Sequence, residues 1–316
     1  MLIPPSVLCP VDFSDASRGA LRYAAALAEH FYAGLTVLTV DDPFLTDAAA
    51  AALGQGWMDH HTQQALEKFV EDAFPTRKPR LHELRLLVAT GQPATEIQRV
   101  ARETEADVIV MSTHGVSGVR KMMFGSVTER VLRDTGVPVI ITPAGDPGPD
   151  SLEEWKAGLE AVLVPVDLSP WTPRQVRIAQ GLAEAFDTRL IFAHVLEPLR
   201  ARLGDEAIAA HAQATRRAHA HQMLSGLIES VPARLRPAMT IGLGDPATEL
   251  TRIATEFSAG AIVMGLHSVP ERGHRMGTVT YRLLCQAPVL VVAWPPAAAL
   301  RGEGDSLTLA EGRARR

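Results

Sequence analysis

Two runs of small residues, Ser112-Thr113-His114-Gly115 and Gly125-Ser126, separated by residues 116–124, are the part of this chain whose spacing best suits chemistry. An apolar run at 108–111 precedes the first, and Val127, Val131 and Leu132 follow the second at helical intervals that stop near Gly136-Val137-Pro138. The pattern predicts a buried strand, a glycine-containing loop, and a helix that begins at a Gly-Ser pair. Backbone N–H groups reach an anion closely where side chains are small, and the helix dipole favours negative charge there. This is a phosphate cradle in outline, although glycines at a spacing are a weak signal alone. His114 could act as a general base, but no acid partner, nucleophile elbow or HExxH motif accompanies it, so it reads as a residue packed beside the loop. Arg120 and Lys121 could screen phosphate charge or simply lie on the surface.

Such a cradle must be positioned by strand ends. Residues 7–11 read as a strand that leads through Asp12 and Ser14 into a helix over 16–32, with Ala20, Tyr23, Ala24, Leu27 and Phe31 at three- and four-residue steps. Ser14 or Asp15 can cap it. A strand over 34–40, a variable insert, a helix over 58–74, a strand over 81–88 and a helix over 93–103 follow, and the last strand is 137–142. Strands alternating with helices give parallel pairing and a doubly wound α/β sheet. The ligand crevice of such a sheet lies outside the carboxyl ends of its strands, where strand order reverses. Pro10-Val11-Asp12, Val40 and Met111-Ser112 all fall at such ends.

The whole pattern occurs twice. SVLCPVDFS at 6–14 returns as AVLVPVDLS at 161–169, GQPATEI at 91–97 as GDPATEL at 244–250, and GSVTERVL at 125–132 as GTVTYRLL at 277–284. A duplicated domain follows: residues 1–145, a Pro/Gly-rich linker over 146–160, a second copy over 161–296, and a tail over 297–316 whose composition predicts disorder.

With the strand, the Ser112-x-x-Gly115 step, nine residues and then Gly125-Ser126, the chain resembles the universal stress protein family, whose pattern has Gly where Ser112 stands. The resemblance covers nearly all of the chain apart from linker and tail. It implies two tandem, doubly wound, mainly parallel five-stranded sheets with helices on both faces, of the HUP/Rossmann-like kind. It further implies bound ATP, with Mg²⁺ or Mn²⁺ accompanying the phosphates. Adenine would lie near Asp12 and the backbone of Val40, and Pro10 and Gly115 would lie by the ribose and phosphates, with Val11, Met111, Ser112 and His114 also among the nucleotide-binding residues. Gly125, Ser126 and Val127 would grip the terminal phosphates. Each role is physically sensible: a carboxylate such as Asp12 accepts from an exocyclic amine, and hydroxyl and N–H groups at a helix start donate to phosphate. The plainer readings are a turn or cap for Asp12 and an N-cap for Ser126. The second copy keeps Pro165, Asp167, Val195, Gly265, Gly277 and Thr278 as a weaker site. It has Ser268 at the second glycine position, a loop of one residue fewer, and Pro270 and Glu271 within it, which stiffen the loop and add negative charge.

Composition narrows the partners. The chain has 316 residues, a net charge of −5 and 21% charged residues, which disfavours nucleic acid as the main partner. No run approaches the ~18–20 apolar residues of a membrane helix, so the expected compartment is the cytoplasm and no membrane partner is expected. Cys9 and Cys285 form no metal or redox spacing and read as core residues. Histidines 60, 61, 211, 219 and 221 lack a completing ligand set and read as solvated helix faces, and the terminal Arg-Ala-Arg-Arg as surface.

Three functional classes remain. The first is a nucleotide-binding stress or signalling protein that works through conformation or association. The second is a slow ATP-hydrolysing enzyme, disfavoured because no Walker-type Lys and no pair of metal-binding carboxylates is present. The third is an interaction scaffold with vestigial pockets, whose apolar final strands, 137–142 and 289–294, could pair across domains or join subunits as a dimer.

Overall fold

The computed structural model describes residues 2–113, 125–170, 172–199, 205–266, 277–295 and 313–314. The first half runs β1 (Leu2–Ile3), β2 (Ser6–Pro10), α1 (Asp15–Phe31), β3 (Gly34–Asp41), α2 (Pro43–Leu53), α3 (Trp57–Ala73), β4 (Glu83–Thr90), α4 (Pro93–Glu103), β5 (Val108–Ser112), α5 (Ser126–Asp134) and β6 (Val139–Thr142). After α6 (Leu152–Gly158), the second half repeats the order with β7 (Ala161–Pro165), α7 (Thr172–Phe186), β8 (Arg189–Leu196), α8 (Glu206–Glu229), β9 (Ala238–Leu243), α9 (Pro246–Glu256), β10 (Ala259–Gly265), α10 (Thr278–Gln286) and β11 (Leu290–Trp294). A final pair of residues, β12 (Arg313–Ala314), lies antiparallel to β1.

The strand runs are apolar on both faces because helices cover both sides of the sheet. Ser14 caps α1, its hydroxyl accepting from the Ser17 N–H at 3.1 Å, and the helix stops where Tyr32 turns left-handed at φ 49°. The ten long strands form one sheet in the order β4-β3-β2-β5-β6-β11-β10-β7-β8-β9. All neighbours are parallel except β6 and β11, which pair antiparallel with Ile140 opposite Val292. Two five-stranded, doubly wound halves are therefore joined edge to edge. Alternate residues send Val7, Val37, Val110 and Phe192 into one apolar layer and Leu8, Leu38, Ile109 and Leu163 into the other, and each layer crosses both halves.

This arrangement corrects one expectation. The final strands do pair across the two domains, which leaves them no free edge to offer a second subunit. A strand has two edges, and β6 lies between β5 and β11 while β11 lies between β6 and β10, so both edges of each are occupied within the chain.

The insert after β3 also differs from its sequence reading. Beyond the expected helix it contains α2, which has no buried residue and leaves Phe44 83% exposed. Asp42 caps it and Pro43 opens it, so local signals make the helix while the alanine run gives no apolar stripe for periodicity to detect.

The segment between the halves is packed against α1. Tyr23 Oη donates to Asp146 at 3.0 Å, Arg22 pairs with Asp150 at 2.7 Å, and Gly148 sits at φ +73° with its N–H on Asp146. A Cβ on Gly19 would lie 2.1 Å from the Asp146 carbonyl oxygen, so only glycine admits this approach. Behind the strap, Trp155 of α6 lies edge-on to Tyr23 at 6.0 Å and packs on Phe186 of α7 at 4.8 Å.

His30 completes this joint. Its ring stacks on Phe186 at 4.3 Å and its Nε2–H donates to the Ala185 carbonyl at 2.8 Å. Burial, opposed by that hydrogen bond and aided by nearby Lys156, holds its pKa below the ordinary 6.5. The unfolded chain therefore takes up a proton at His30 before the folded chain does, so stability is complete above about pH 6.5 and declines as pH falls toward the folded value. We expect the urea midpoint of the wild type to drop more between pH 7 and pH 5.5 than that of His30→Phe, and equal drops would remove His30 from the account.

Candidate functional site

The chain leaves β2 toward β3 and β4 on one side and returns to β5 and β6 on the other, so the β2–β5 boundary is where strand order reverses. Paired register between these strands ends at Leu8 with Ile109. Beyond it, Pro10, Val11 and Asp12 follow one strand and Met111, Ser112 and Thr113 the other without paired register, at the carboxyl edge where sheets of this kind form their ligand crevice. Val40 lies one strand over, at the end of β3, and the Val11 N–H donates to the Leu38 carbonyl at 2.8 Å, tying the two ends together.

Asp12 is exposed and is partly occupied as a turn residue. Its Oδ1 accepts from the Ser14 N–H at 3.2 Å and the Ser14 hydroxyl at 2.5 Å, while its own N–H donates to Ser17 Oγ at 3.3 Å. The turn forces Phe13 to φ 64°, a left-handed conformation that costs a non-glycine residue energy and recurs at Leu168 with φ 60°. Phe13 sets its ring edge on Phe69 of α3 at 5.5 Å.

Across the crevice, α5 begins at Gly125, whose φ of −62° any residue could adopt. Glycine eases a close approach there. Its N–H donates to the Thr113 carbonyl at 3.0 Å, and a Cβ would lie 3.1 Å from that same oxygen. Thr128 Oγ1 donates to the Ser112 carbonyl at 3.1 Å, so the first turn of α5 is pinned to the end of β5. Among the described residues no side chain caps α5, whose opening amides lie at the positive end of the dipole. Gly125 is the N-cap, and Ser126 is the first helical residue with an exposed side chain, so Ser126 is not the capping residue.

Pro10, Val11, Asp12, Val40, Met111, Ser112, Gly125, Ser126 and Val127 are thus gathered at one edge of the sheet. His114, Gly115, Arg120 and Lys121 lie outside the described residues. Sequence reasoning missed Thr113 and Thr128, the braces of the cradle, although the shared GxVT of the two copies was a signal for the latter. It also missed Asp41, a carboxyl 9% exposed beside Val40, with one oxygen unpartnered and a pKa raised by burial.

In the second copy, Pro165, Asp167, Val195, Gly265, Gly277 and Thr278 occupy corresponding places, and Asp167 Oδ1 accepts the Ser169 N–H at 2.9 Å. Ser268, Pro270 and Glu271 lie outside the described residues. Among the described residues Gly277 starts α10 without a side-chain cap, and a Cβ there would meet Thr280 Oγ1 at 3.8 Å, a looser contact than at Gly125. His194 donates its Nδ1–H to the Val166 carbonyl at 2.7 Å. Arg282 of α10 reaches Asp245 at 2.5 Å, and with the Thr248 N–H holds that carboxyl down to about 2. A separate cleft of ≈ 360 Å³, between Gly34, Glu83, Arg85 and Glu105, lies at the amino ends of the strands, away from this edge.

Fold and site together define a doubly wound α/β protein of the kind that receives ligands at a switch point, built twice in one chain. The sequence matches the universal stress protein family over residues 5–143 and again over 158–294, and the chain belongs to that family as a tandem, two-domain member. It is 32% identical over 139 residues to universal stress protein MJ0531 of Methanocaldococcus jannaschii, covering 43% of this chain and 79% of that protein. It is 29% identical over 142 residues to YxiE of Bacillus subtilis, covering 43% of this chain and 96% of that protein. Among solved structures, a universal stress protein from Archaeoglobus fulgidus superposes with a TM-score of 0.60 at 20% identity, covering 92% of this chain and 98% of that one. A functionally unknown protein from Pseudomonas aeruginosa gives a TM-score of 0.61 at 14% identity, with 94% of each chain covered. Both show the fold. No helix among the described residues is long and apolar enough to cross a membrane.

Proposed function

We propose that the first copy binds ATP and that this chain acts in stress response or signalling, in the cytoplasm, by changing conformation or association with nucleotide occupancy. The observation that carries the reading is the close seat of Gly125 on the Thr113 carbonyl, which holds the uncapped start of α5 across the crevice from Asp12 and Val40. Phosphate is the group such a terminus suits, by charge and by hydrogen bonding. In this reading the amides of Ser126 and Val127 and the Ser126 hydroxyl receive the terminal phosphates. Pro10, Ser112 and Gly115 border the ribose and phosphates, and Asp12 and the Val40 backbone face the base. Among the described residues no group of three His, Cys, Asp or Glu side chains is placed to hold a metal, so Mg²⁺ or Mn²⁺ would be carried mainly by the phosphates and water.

The test is to denature the purified protein and identify released nucleotide, then to titrate the chain with ATP and follow both binding and phosphate release. Retained ATP with little turnover supports the proposal. Rapid phosphate release would make it an enzyme, and absence of binding at millimolar ATP would leave the scaffold role.

A further inference from the structure

Among the differences between the two crevices, one lies at the base, on the first turns of the helix that follows the first strand of each copy. From Asp12 to Gly34 the first copy aligns without a gap to residues 167–189 of the second. The backbone keeps the same register: Phe13 and Leu168 are both left-handed, and so are Tyr32 and Asp187 at φ 49° and 50°. Ala20 of α1 therefore corresponds to Gln175 of α7, and both are buried, at 0% and 7% exposure. Gln175 Nε2 donates one hydrogen to the Pro165 carbonyl at 2.7 Å, at the end of β7, and the other to the Val263 carbonyl at 2.8 Å, in β10. Paired register between those strands ends at Leu163 with Ile262, the same level at which Leu8 and Ile109 end it in the first copy. The amide of Gln175 thus bridges the fork where the strands diverge. Ala20 presents a methyl group at the matching place and has no donor to offer.

A primary amide with both hydrogens committed to two diverging strands fixes their separation, and it does so most firmly where water is excluded. A ligand lying across a switch point touches both strand ends and needs them at a spacing that suits it. We infer that the residue at this helix position selects which copy accepts nucleotide: Gln175 clamps the second fork, and Ala20 leaves the first free to adjust. This rests on the reading that the first copy binds ATP. It is independent of the altered loop that follows β10.

The experiment uses the full chain and ATP in equilibrium dialysis. Ala20→Gln should weaken ATP binding roughly tenfold or more while the variant keeps the wild-type circular dichroism. Wild-type affinity in a folded Ala20→Gln variant would overturn the selection while leaving the functional reading intact. A wild-type chain that takes no ATP overturns that reading and the selection with it. Should Ala20→Gln fail to fold, Gln175→Ala carries the test through amide hydrogen exchange. Exchange at Val166, Met264 and Gly265 should accelerate roughly tenfold with Val11, Met111 and Ser112 unchanged, and unaltered exchange at the second fork would show that no clamp exists.

Discussion

If the first copy binds ATP as proposed, Gly125→Val is expected to abolish measurable binding, or weaken it by roughly 30-fold, about 2 kcal/mol, in a chain that still folds. The cause is contact distance. A Cβ at this position would stand 3.1 Å from the Thr113 carbonyl oxygen and 3.7 Å from Thr128 Oγ1, and the valine methyl groups need more room again. The first turn of α5 must move away from the end of β5, and the amides of Ser126 and Val127 move with it. Hydrogen bonds from such groups to a charged partner are worth roughly 1.5–3 kcal/mol each, so losing one, or weakening both in part, accounts for the loss. Stability should fall less, by about 1–3 kcal/mol, because the helix can shift at an open edge. Gly125→Ala should lie between the two. Isothermal titration beside urea unfolding separates these effects, and a folded Gly125→Val variant with wild-type affinity would rule out this edge as the site.

Trp155→Ala lowers the stability of the whole chain by about 3–5 kcal/mol, the usual cost of removing a buried tryptophan side chain. Trp155 is 8% exposed and fills the space between Tyr23 of α1 and Phe186 of α7. It belongs to a helix of 7 residues, too short to persist without packing. Losing it removes the wedge between the halves, while the β6–β11 ladder remains. Native domains are stable by only about 5–15 kcal/mol, so the expected result is a denaturation curve that shifts to lower urea and separates into two steps. Far-UV circular dichroism against urea reads this directly. A single, unshifted transition would mean that the sheet alone couples the halves.

Much of the fold was legible in the chain. The alternation of strand and helix, the two copies and the strand ends at Pro10-Val11-Asp12 and Met111-Ser112 follow from apolar periodicity and from motif order, which act over a few residues at a time. The Gly125 start of α5 was legible for the same reason, since a helix start is a local event. The reason for glycine there was not legible: its φ is ordinary, and only the Thr113 carbonyl, brought back by the strand-to-helix return, makes a side chain costly. Gly19 is a stronger case, an interior helical glycine with no meaning in sequence until Asp146 arrives beside it.

By itself, then, the sequence determined that this protein is a duplicated α/β chain of the universal stress protein family with small residues at a strand end and a helix start in its first half. Tertiary structure alone decided that β6 and β11 close the halves into one sheet, that residues 146–150 lie bound to α1, and that Gln175 spans the fork of the second copy with hydrogen bonds that Ala20 cannot make in the first. The physical reason is range. Hydrogen bonding and side-chain alternation along a segment specify its type, whereas a strand's partner and a glycine's neighbour are chosen by packing between residues that lie apart in sequence, Gly19 beside Asp146 and Ile140 opposite Val292 among them.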